Sequence, residues 1–340
     1  MLGLVIETSC DETSVAVIKN GRTILSNIVS TQIDIHKEYG GVVPEIASRE
    51  HTKNISYIVR QAVEEAKIQF KELSYIGVTY GPGLIGALLV GVSYAKALAY
   101  SLNIPIVKVN HIEGHIAANY LTYSELKPPF LSLVVSGGHS HLIYVKDYND
   151  FEILGKTRDD AAGEAFDKVA RVLGLEYPGG PLVSKLAKEG KPTYKLPKTK
   201  FEEGYDFSFS GVKTSVINIA HKEGENLNKA DMAASFEENI TDVLVSNTLK
   251  LMKDKNIDTV VLAGGVSANT VLRDKLKNSC NQLGYNCYIP DLRYCTDNAA
   301  MIASSAYYKY SLAKDKSIFD ISNNLELNAI AHLKVGSDCI

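Results

Sequence analysis

Several features that mark well-known protein classes are absent from this sequence of 340 residues. It has no tryptophan, no apolar run near the roughly 18 residues of a membrane span, and no basic N-terminal region followed by a cleavage site. Its five cysteines are odd in number and lack C-x-x-C spacing, which predicts neither a disulfide framework nor a cysteine metal site. These absences predict a protein of the reducing cytoplasm that does not enter a membrane.

Net charge and phosphate-binding motifs give little guidance either. The net charge is only −3, so any nucleic-acid surface must be local. The Gly81-Pro82-Gly83 turn lacks the Lys-Ser/Thr of a P-loop, and we interpret its glycines as a packing feature. The segment that follows, to about Ser101, is apolar or small almost all round, which predicts a buried helix. A chain of this length and ordinary composition predicts two domains.

A strand–turn–strand pattern occurs twice in the chain, about 130 residues apart. A repeat of that length predicts two similar lobes and not a solenoid. Small residues in both turns, 8–14 and 136–140, can present backbone N–H groups to phosphates, so the pair predicts a nucleotide clamp. The predicted strands are 2–7 and 15–18 in the first copy, and 130–135 and 141–145 in the second.

The segment 111–115 (HIEGH) carries two histidines at helical spacing. His111 and His115 would lie one turn apart on the same helix face and could share one metal ion. Glu113 stands one position beyond the glutamate of the H-E-x-x-H zinc proteases, so the spacing argues against a protease. The alternative interpretation is a helix start, capped by Asn110, that happens to carry two histidines.

The segment 185–200 is rich in lysine. It contains one acid, Glu189, and an interleaved Tyr194. Lysines bind nucleic-acid phosphates without sequence specificity, so the segment predicts a phosphate-backbone contact, with a solvated loop as the alternative. The six lysines are Lys185, Lys188, Lys191, Lys195, Lys198 and Lys200.

Ten motifs, in order along the chain, together resemble one family, the tRNA N6-adenosine threonylcarbamoyltransferases, formerly called O-sialoglycoprotein endopeptidases. The resemblance spans roughly residues 2–310. The family commonly ends in an Arg-Pro-Arg-Trp-like stretch that this chain lacks. The motifs are 7–13 (ETSCDET), 40–45 (GGVVPE), 81–84 (GPGL), 111–115 (HIEGH), 134–139 (VVSGGH), 163–167 (GEAFD), 177–181 (YPGGP), 207–211 (FSFSG), 264–269 (GGVSAN) and 296–298 (TDN).

The resemblance implies an α/β, two-lobed fold of the actin, Hsp70 and sugar-kinase (ASKHA) type, with duplicated lobes and a central cleft. We expect residues 1–110 plus about 297–325 to form the first lobe, 111–296 the second, and 326–340 a tail. The implied reaction transfers a threonylcarbamoyl group from threonylcarbamoyl-AMP to N6 of adenosine 37 in tRNAs that read codons beginning with A, forming t6A.

The resemblance also implies the site residues. His111, His115 and Asp297 would bind one divalent metal per subunit, iron or zinc, although Asp297 alone could be a helix N-cap. The adenylate would be held by residues of the second half of the chain. These are Val134, Val135, Ser136, Gly137, Gly138, Asp167, Gly180 and Asn269.

The chemistry needs a base to take the N6 proton, and our hypothesis is Asp11 in the first turn. Besides tRNA, the implied partners are an inactive paralogue and a small ATPase in bacteria, or a kinase-containing complex in archaea and eukaryotes. Two alternatives are an O-carbamoyltransferase or another phosphotransferase of the same fold acting on a small molecule, and a non-catalytic scaffold. Retention of both histidines and Asp297 argues against the scaffold.

Overall fold

The computed structural model describes residues 1–199, 201 and 204–337, so Lys200 of the lysine-rich segment and Cys339 lie outside the described residues. The chain forms two compact units. The first contains residues 1–128, 146–151 and the described residues from 290 onward, and the second contains 129–145 and the described residues of 152–289.

The first unit is built on a five-stranded sheet with the order β3-β2-β1-β4-β5. β2 runs antiparallel to both β1 and β3, while β1, β4 and β5 are parallel. The strands are β1 (Leu2–Glu7), β2 (Glu12–Lys19), β3 (Thr23–Thr31), β4 (Tyr75–Gly81) and β5 (Ile106–Asn110). With helices numbered in chain order through both units, those of this unit are α1 (Ile33–Lys37), α2 (Pro44–Glu65), α3 (Ile85–Leu102), α4 (His111–Thr122) and α10 (Ala299–Leu312).

The second unit repeats this sheet, with the order β10-β9-β6-β7-β8. β6 pairs antiparallel with β7 and parallel with β9, as β1 does with β2 and β4. The predicted duplication is therefore confirmed strand by strand. The strands are β6 (Phe130–Val135), β7 (Ser140–Asp147), β8 (Asp150–Lys156), β9 (Thr259–Ala263) and β10 (Asn286–Tyr288). The helices are α5 (Ala162–Val172), α6 (Gly179–Ala187), α7 (Ser210–Glu223), α8 (Lys229–Lys255) and α9 (Thr270–Leu283).

β1 is buried on both faces, which explains its almost continuous apolar sequence. Leu4 and Ile6 pack into a core formed with α2 and α3, and Val5 packs into a second core formed with α10. The β2–β3 hairpin turns at Asn20 and Gly21, both with positive φ. This is the type I′ geometry that an Asn-Gly pair favours.

The division into units differs from the boundaries expected from the sequence, since α4 belongs to the first unit. α4 packs closely on α10: a Cβ at Gly114 would lie 2.4 Å from Ile302 Cδ1. Arg22 holds the other end of α4, donating hydrogen bonds to the carbonyls of Tyr120 and Tyr123. The chain changes unit instead at Pro128–Pro129.

α3 is 18 residues long and, by length and composition, apolar enough to cross a membrane, so the expectation that no segment approaches this length is wrong. Six of its residues are buried, and it packs in the first unit's core. The prediction of a helix buried all round is also wrong, because Ile85 and Leu89 are exposed. The close packing predicted for the glycines of the 81–83 turn is present at Gly83, where a Cβ would lie 2.5 Å from the Ser9 carbonyl oxygen.

The C-terminal segment, in which we found no interpretable motif, packs against α4. Its Lys334 carbonyl accepts a hydrogen bond from Asn110 Nδ2, and Gly336 N–H donates to Glu113 Oε1 at 3.2 Å. Glu113 Oε2 lies 2.9 Å from Lys309 Nζ of α10, and both side chains are 2% exposed. Glu113 is therefore a packing and ion-pair residue and not the base of a protease.

Candidate metal centre and transfer site

Two histidines are presented by the first turns of α4, which begins directly after β5. Asn110 caps the helix by accepting a hydrogen bond from Ile112 N–H at 2.9 Å, as the sequence predicts. The i, i+4 spacing then places His111 and His115 edge to face, with ring centroids 4.6 Å apart. Both rings are buried.

Asp297 reaches the same point from the segment before α10. Its Oδ1 lies 3.2 Å from His115 Nε2 and 3.5 Å from His111 Nε2. It is not the N-cap of α10, because Asn298 accepts the hydrogen bond from Met301 N–H. The structure therefore brings together the three residues that the family resemblance implies as metal ligands.

The three side chains fit a metal. One ligand atom from each lies within 4.8 Å of the other two. Both ring nitrogens of His115 are buried and make no hydrogen bond of good geometry among the described residues, despite the nearby carboxylate. Two imidazoles and one carboxylate are a donor set for iron(II) or zinc that leaves positions open for a substrate.

Mutual electrostatics holds the carboxylate ionised. Burial would raise the pKa of Asp297, but the adjacent His111 and His115 outweigh it and hold that pKa well below its usual range. Burial likewise opposes charge on His111, yet Asp297 and Glu7 raise its pKa well above the ordinary value. Burial lowers the pKa of His115. The carboxylate that would bind a cation is thus available throughout the neutral range.

Glu7, at the end of β1, is a site residue that the sequence reasoning missed. Its fully buried carboxylate lies 3.1 Å from His111 Nδ1 and accepts hydrogen bonds from Thr79 Oγ1 and Ser9 N–H, both at 2.5 Å. This contact orients the ring and leaves Nε2 facing Asp297. Carboxylates commonly orient metal-binding histidines in this way, by accepting a hydrogen bond from the ring nitrogen that does not bind the metal. A carboxylate ending an apolar strand was the only signal in the sequence.

The first turn places Asp11 beside a second acid. Asp11 is 6% exposed, and its neighbour Glu12 belongs to β2. Burial, with the charges of Asp297 and Asp11, raises the pKa of Glu12 to about 10. Glu12 is therefore neutral at neutral pH and can donate a hydrogen bond to Asp11.

The second turn, between β6 and β7, leaves open space at its glycines. Ser136 N–H donates to the His139 carbonyl at 2.8 Å, which closes the turn. A Cβ at Gly137 or Gly138 would have no atom within 4 Å, and both residues are exposed. Val134 and Val135, by contrast, are fully buried at the end of β6. A ligand could therefore approach the backbone at the glycines.

Of the other substrate-binding candidates in the second unit, Gly180 and Asn269 lie at helix starts and Asp167 lies in the second turn of α5. Asp167 Oδ1 accepts a hydrogen bond from Gly179 N–H at 2.8 Å, beside Gly180, and burial raises the pKa of Asp167. Asn269 caps α9 through Leu272 N–H and donates to Glu237 Oε1 at 2.6 Å. All eight such candidates belong to the second unit, while Asp11 and the three metal ligands belong to the first.

Comparisons with known proteins identify relatives along nearly the whole chain. A family model described as tRNA N6-adenosine threonylcarbamoyltransferase matches residues 23–304. A protein of that name from Clostridium kluyveri is 56% identical over 339 residues, which cover 98% of this chain and 97% of the relative. Another from Clostridioides difficile is 52% identical over 340 residues, 98% of each chain.

Solved structures with similar folds are much more distant in sequence. Full-length HypF in its phosphate- and nucleotide-bound form is 14% identical with a TM-score of 0.61, covering 93% of this chain but only 47% of HypF. Component A of the Acidaminococcus fermentans (R)-2-hydroxyglutaryl-CoA dehydratase is 15% identical with a TM-score of 0.52, covering 91% and 98%. These likenesses confirm the predicted two-lobed α/β fold class.

Proposed function

Because this chain belongs to the tRNA N6-adenosine threonylcarbamoyltransferase family, it is a transferase that acts on tRNA, and we propose the details of its reaction. The donor is threonylcarbamoyl-AMP, and the acceptor is N6 of adenosine 37 in tRNAs reading codons that begin with A. The observation that carries the proposal is the cluster of His111, His115 and Asp297, whose ligand atoms lie within 4.8 Å of one another.

The acceptor is a weak nucleophile, since the N6 lone pair is delocalised into the adenine ring. In the proposed reaction the N6–carbonyl bond forms while the bond from the carbonyl carbon to the phosphate oxygen breaks, and AMP leaves with that electron pair. Asp11 takes the N6 proton. Backbone N–H groups of the turn at Gly137 and Gly138 hold the phosphate.

We propose that the metal is iron or zinc, held by His111, His115 and Asp297. When bound, it supplies a positive charge that stabilises the phosphate of the departing AMP. Glu7 keeps His111 in the orientation that leaves Nε2 for the metal.

Nucleoside mass spectrometry tests the proposed reaction. The purified protein, its partners, threonylcarbamoyl-AMP and unmodified tRNA should give t6A. A matched reaction should replace tRNA with free sugars. Carbamoylation of the sugar with no t6A in the tRNA would contradict the proposal and favour a small-molecule O-carbamoyltransferase.

We propose that the partners are the inactive paralogue and the small ATPase, since both of the relatives described above come from bacteria. The exposed apolar side chains of Ile85 and Leu89 on α3 are consistent with packing against another protein. We propose that the protein is cytoplasmic, which a tRNA substrate supports, and we infer no membrane role for α3.

Gly138→Val is expected to abolish binding of the adenylate while the protein stays folded. The glycine is exposed with open space at its Cβ position, so valine meets no protein atom but fills the space that the phosphate would take. Calorimetric titration with AMP, alongside the thermal unfolding midpoint, measures both effects. Normal AMP affinity in the folded variant would show that the adenylate does not approach this turn.

The lysine-rich segment is expected to contact tRNA phosphates. It is held in place rather than loose: Tyr194 Oη donates to Glu223 Oε2 at 2.7 Å, and Asn239 Nδ2 donates to the Leu196 carbonyl at 3.1 Å. Lys198 Nζ pairs with Asp242 at 2.7 Å and should contribute less than the exposed Lys188, Lys191 and Lys195.

Changing Lys188, Lys191, Lys195 and Lys198 to serine should weaken tRNA binding. The slope of log Kd against the logarithm of the salt concentration should fall by about 2–4, at roughly 0.7–0.9 per lost phosphate contact. Binding is measured by filter retention across a salt series. A control variant of equal charge change carries serine at exposed lysines elsewhere in the second unit. Equal tRNA binding by the two variants at low salt would mean that the segment is a solvated loop that does not contact tRNA. The control positions are Lys250, Lys253, Lys255 and Lys277.

A further inference from the structure

We propose that His51 is a positioning residue for Asp11, acting through a hydrogen-bonded chain that also contains Gln32 and His36. The inference rests on the proposed function, in which Asp11 takes the proton. The three polar side chains are almost completely buried, with exposures of 0% for His51 and His36 and 2% for Gln32. Buried polar groups of this kind persist where they are hydrogen-bonded, and here the bonds form one continuous chain.

The two ends of the chain fix the direction of every hydrogen bond. Val43 N–H can only donate, so His36 Nδ1 accepts at 3.3 Å, and His36 Nε2–H donates to Gln32 Oε1 at 3.2 Å. Gln32 Nε2 then donates to His51 Nδ1 at 3.4 Å. His51 Nε2–H donates to the Cys10 carbonyl at 2.9 Å. A neutral His51 is required, and burial lowers its pKa accordingly.

The chain ends on the peptide group before Asp11, and a second contact holds the peptide group after it. The Asp11 carbonyl accepts a hydrogen bond from Gln32 N–H at 3.0 Å. A hydrogen bond therefore restrains the peptide group on each side of Asp11. Such positioning is what a catalytic base needs, because a misplacement of about 1 Å can lower a rate roughly 10²-fold.

Thr13 secures the last link. Its Oγ1 lies 2.8 Å from His51 Nδ1, the nitrogen that must accept, so the hydroxyl donates there and shares this acceptor with the longer bond from Gln32 Nε2. Both donors support the tautomer whose Nε2–H faces Cys10. The chain thus joins α2, α1, the end of β3 and the first turn. Its first donor is the backbone N–H of Val43, which lies in the 40–45 motif.

The test compares His51→Phe with the wild type in the t6A assay. Phenylalanine fills the buried volume but cannot donate to Cys10. We expect kcat to fall about 10–100-fold, with KM for tRNA and donor within about threefold and the metal content unchanged. Thr13→Ser keeps the hydroxyl and should retain kcat within about threefold, whereas Thr13→Val should lower it.

The Asp11→Asn background separates positioning from general stability. If His51 acts through Asp11, His51→Phe should lower kcat little further once Asp11 is gone. Equal losses in both backgrounds, or an unchanged kcat in the single variant, would overturn the inference. If His51→Phe fails to fold, Gln32→Met serves instead, since it keeps the backbone bond to Asp11 and removes only the side-chain links. Absence of t6A with the wild type would refute the proposed function itself.

Discussion

His111→Ala and Asp297→Ala should each purify without the metal and lose transferase activity by about 10²-fold or more. The three ligands converge from two segments, and removing one leaves a pair that cannot fix a divalent ion in a buried site. Loss of the ion removes several kcal/mol of stabilisation of the departing phosphate. Elemental analysis of the variants, together with the t6A assay, measures both losses.

His141→Ala is the matched control for this prediction. His141 is the second residue of β7 and belongs to the second unit, whereas the three ligands belong to the first. It should keep a full equivalent of metal and full activity. If His111→Ala or Asp297→Ala also kept a full equivalent, the metal site would have to lie elsewhere and the 111–115 segment would be only a helix start.

Asp11→Asn should lower kcat by about 10²–10⁴-fold, the usual contribution of a general base. Asparagine has nearly the same shape and keeps the turn, but it cannot accept the N6 proton. Metal content and AMP binding should match the wild type, because Asp11 belongs to neither contact. Single-turnover kinetics with preloaded donor isolates the transfer step from substrate binding.

Glu12→Gln tests the competing assignment of the base. With a pKa of about 10, Glu12 is already protonated at neutral pH, and glutamine retains a neutral side chain that can donate to Asp11. We expect a loss of less than about tenfold. A large loss here, with Asp11→Asn still active, would move the role of base from Asp11 to Glu12.

Local patterns in the sequence were sufficient for many of the elements and for the two histidine ligands. The apolar runs, the Asn-Gly turn and the i, i+4 histidines each follow rules that act over a few residues. Asn110 is the cap that the sequence predicts, and α4 begins directly after it at His111. Asp297 needed the family resemblance, since its own position suggested a cap that Asn298 provides.

Contacts between distant segments were not predictable in this way. Glu7 meets His111 across 104 positions, and Glu113 meets Lys309 inside the first unit. The periodicity of the sequence does not indicate such a pairing, because the pairing depends on which strands and helices become neighbours. The same reason explains why α4, which was expected in the second lobe, lies in the first unit. Its close partner, α10, is formed by the last part of the sequence.

The first unit is assembled from segments that are far apart in the sequence, and this has a consequence for how the protein is synthesised. His115 is synthesised about 180 residues before Asp297. Lys309 and Gly336, which form an ion pair and a hydrogen bond with Glu113, are synthesised later still. At ribosomal rates of about 5–20 residues per second, Asp297 follows His115 by roughly 10–40 s. Throughout that interval the histidine helix lacks its third ligand and the helix on which it packs. The three-ligand site can therefore acquire its ion only after Asp297 has been synthesised, and a nascent chain that ends before it cannot hold the ion in this way.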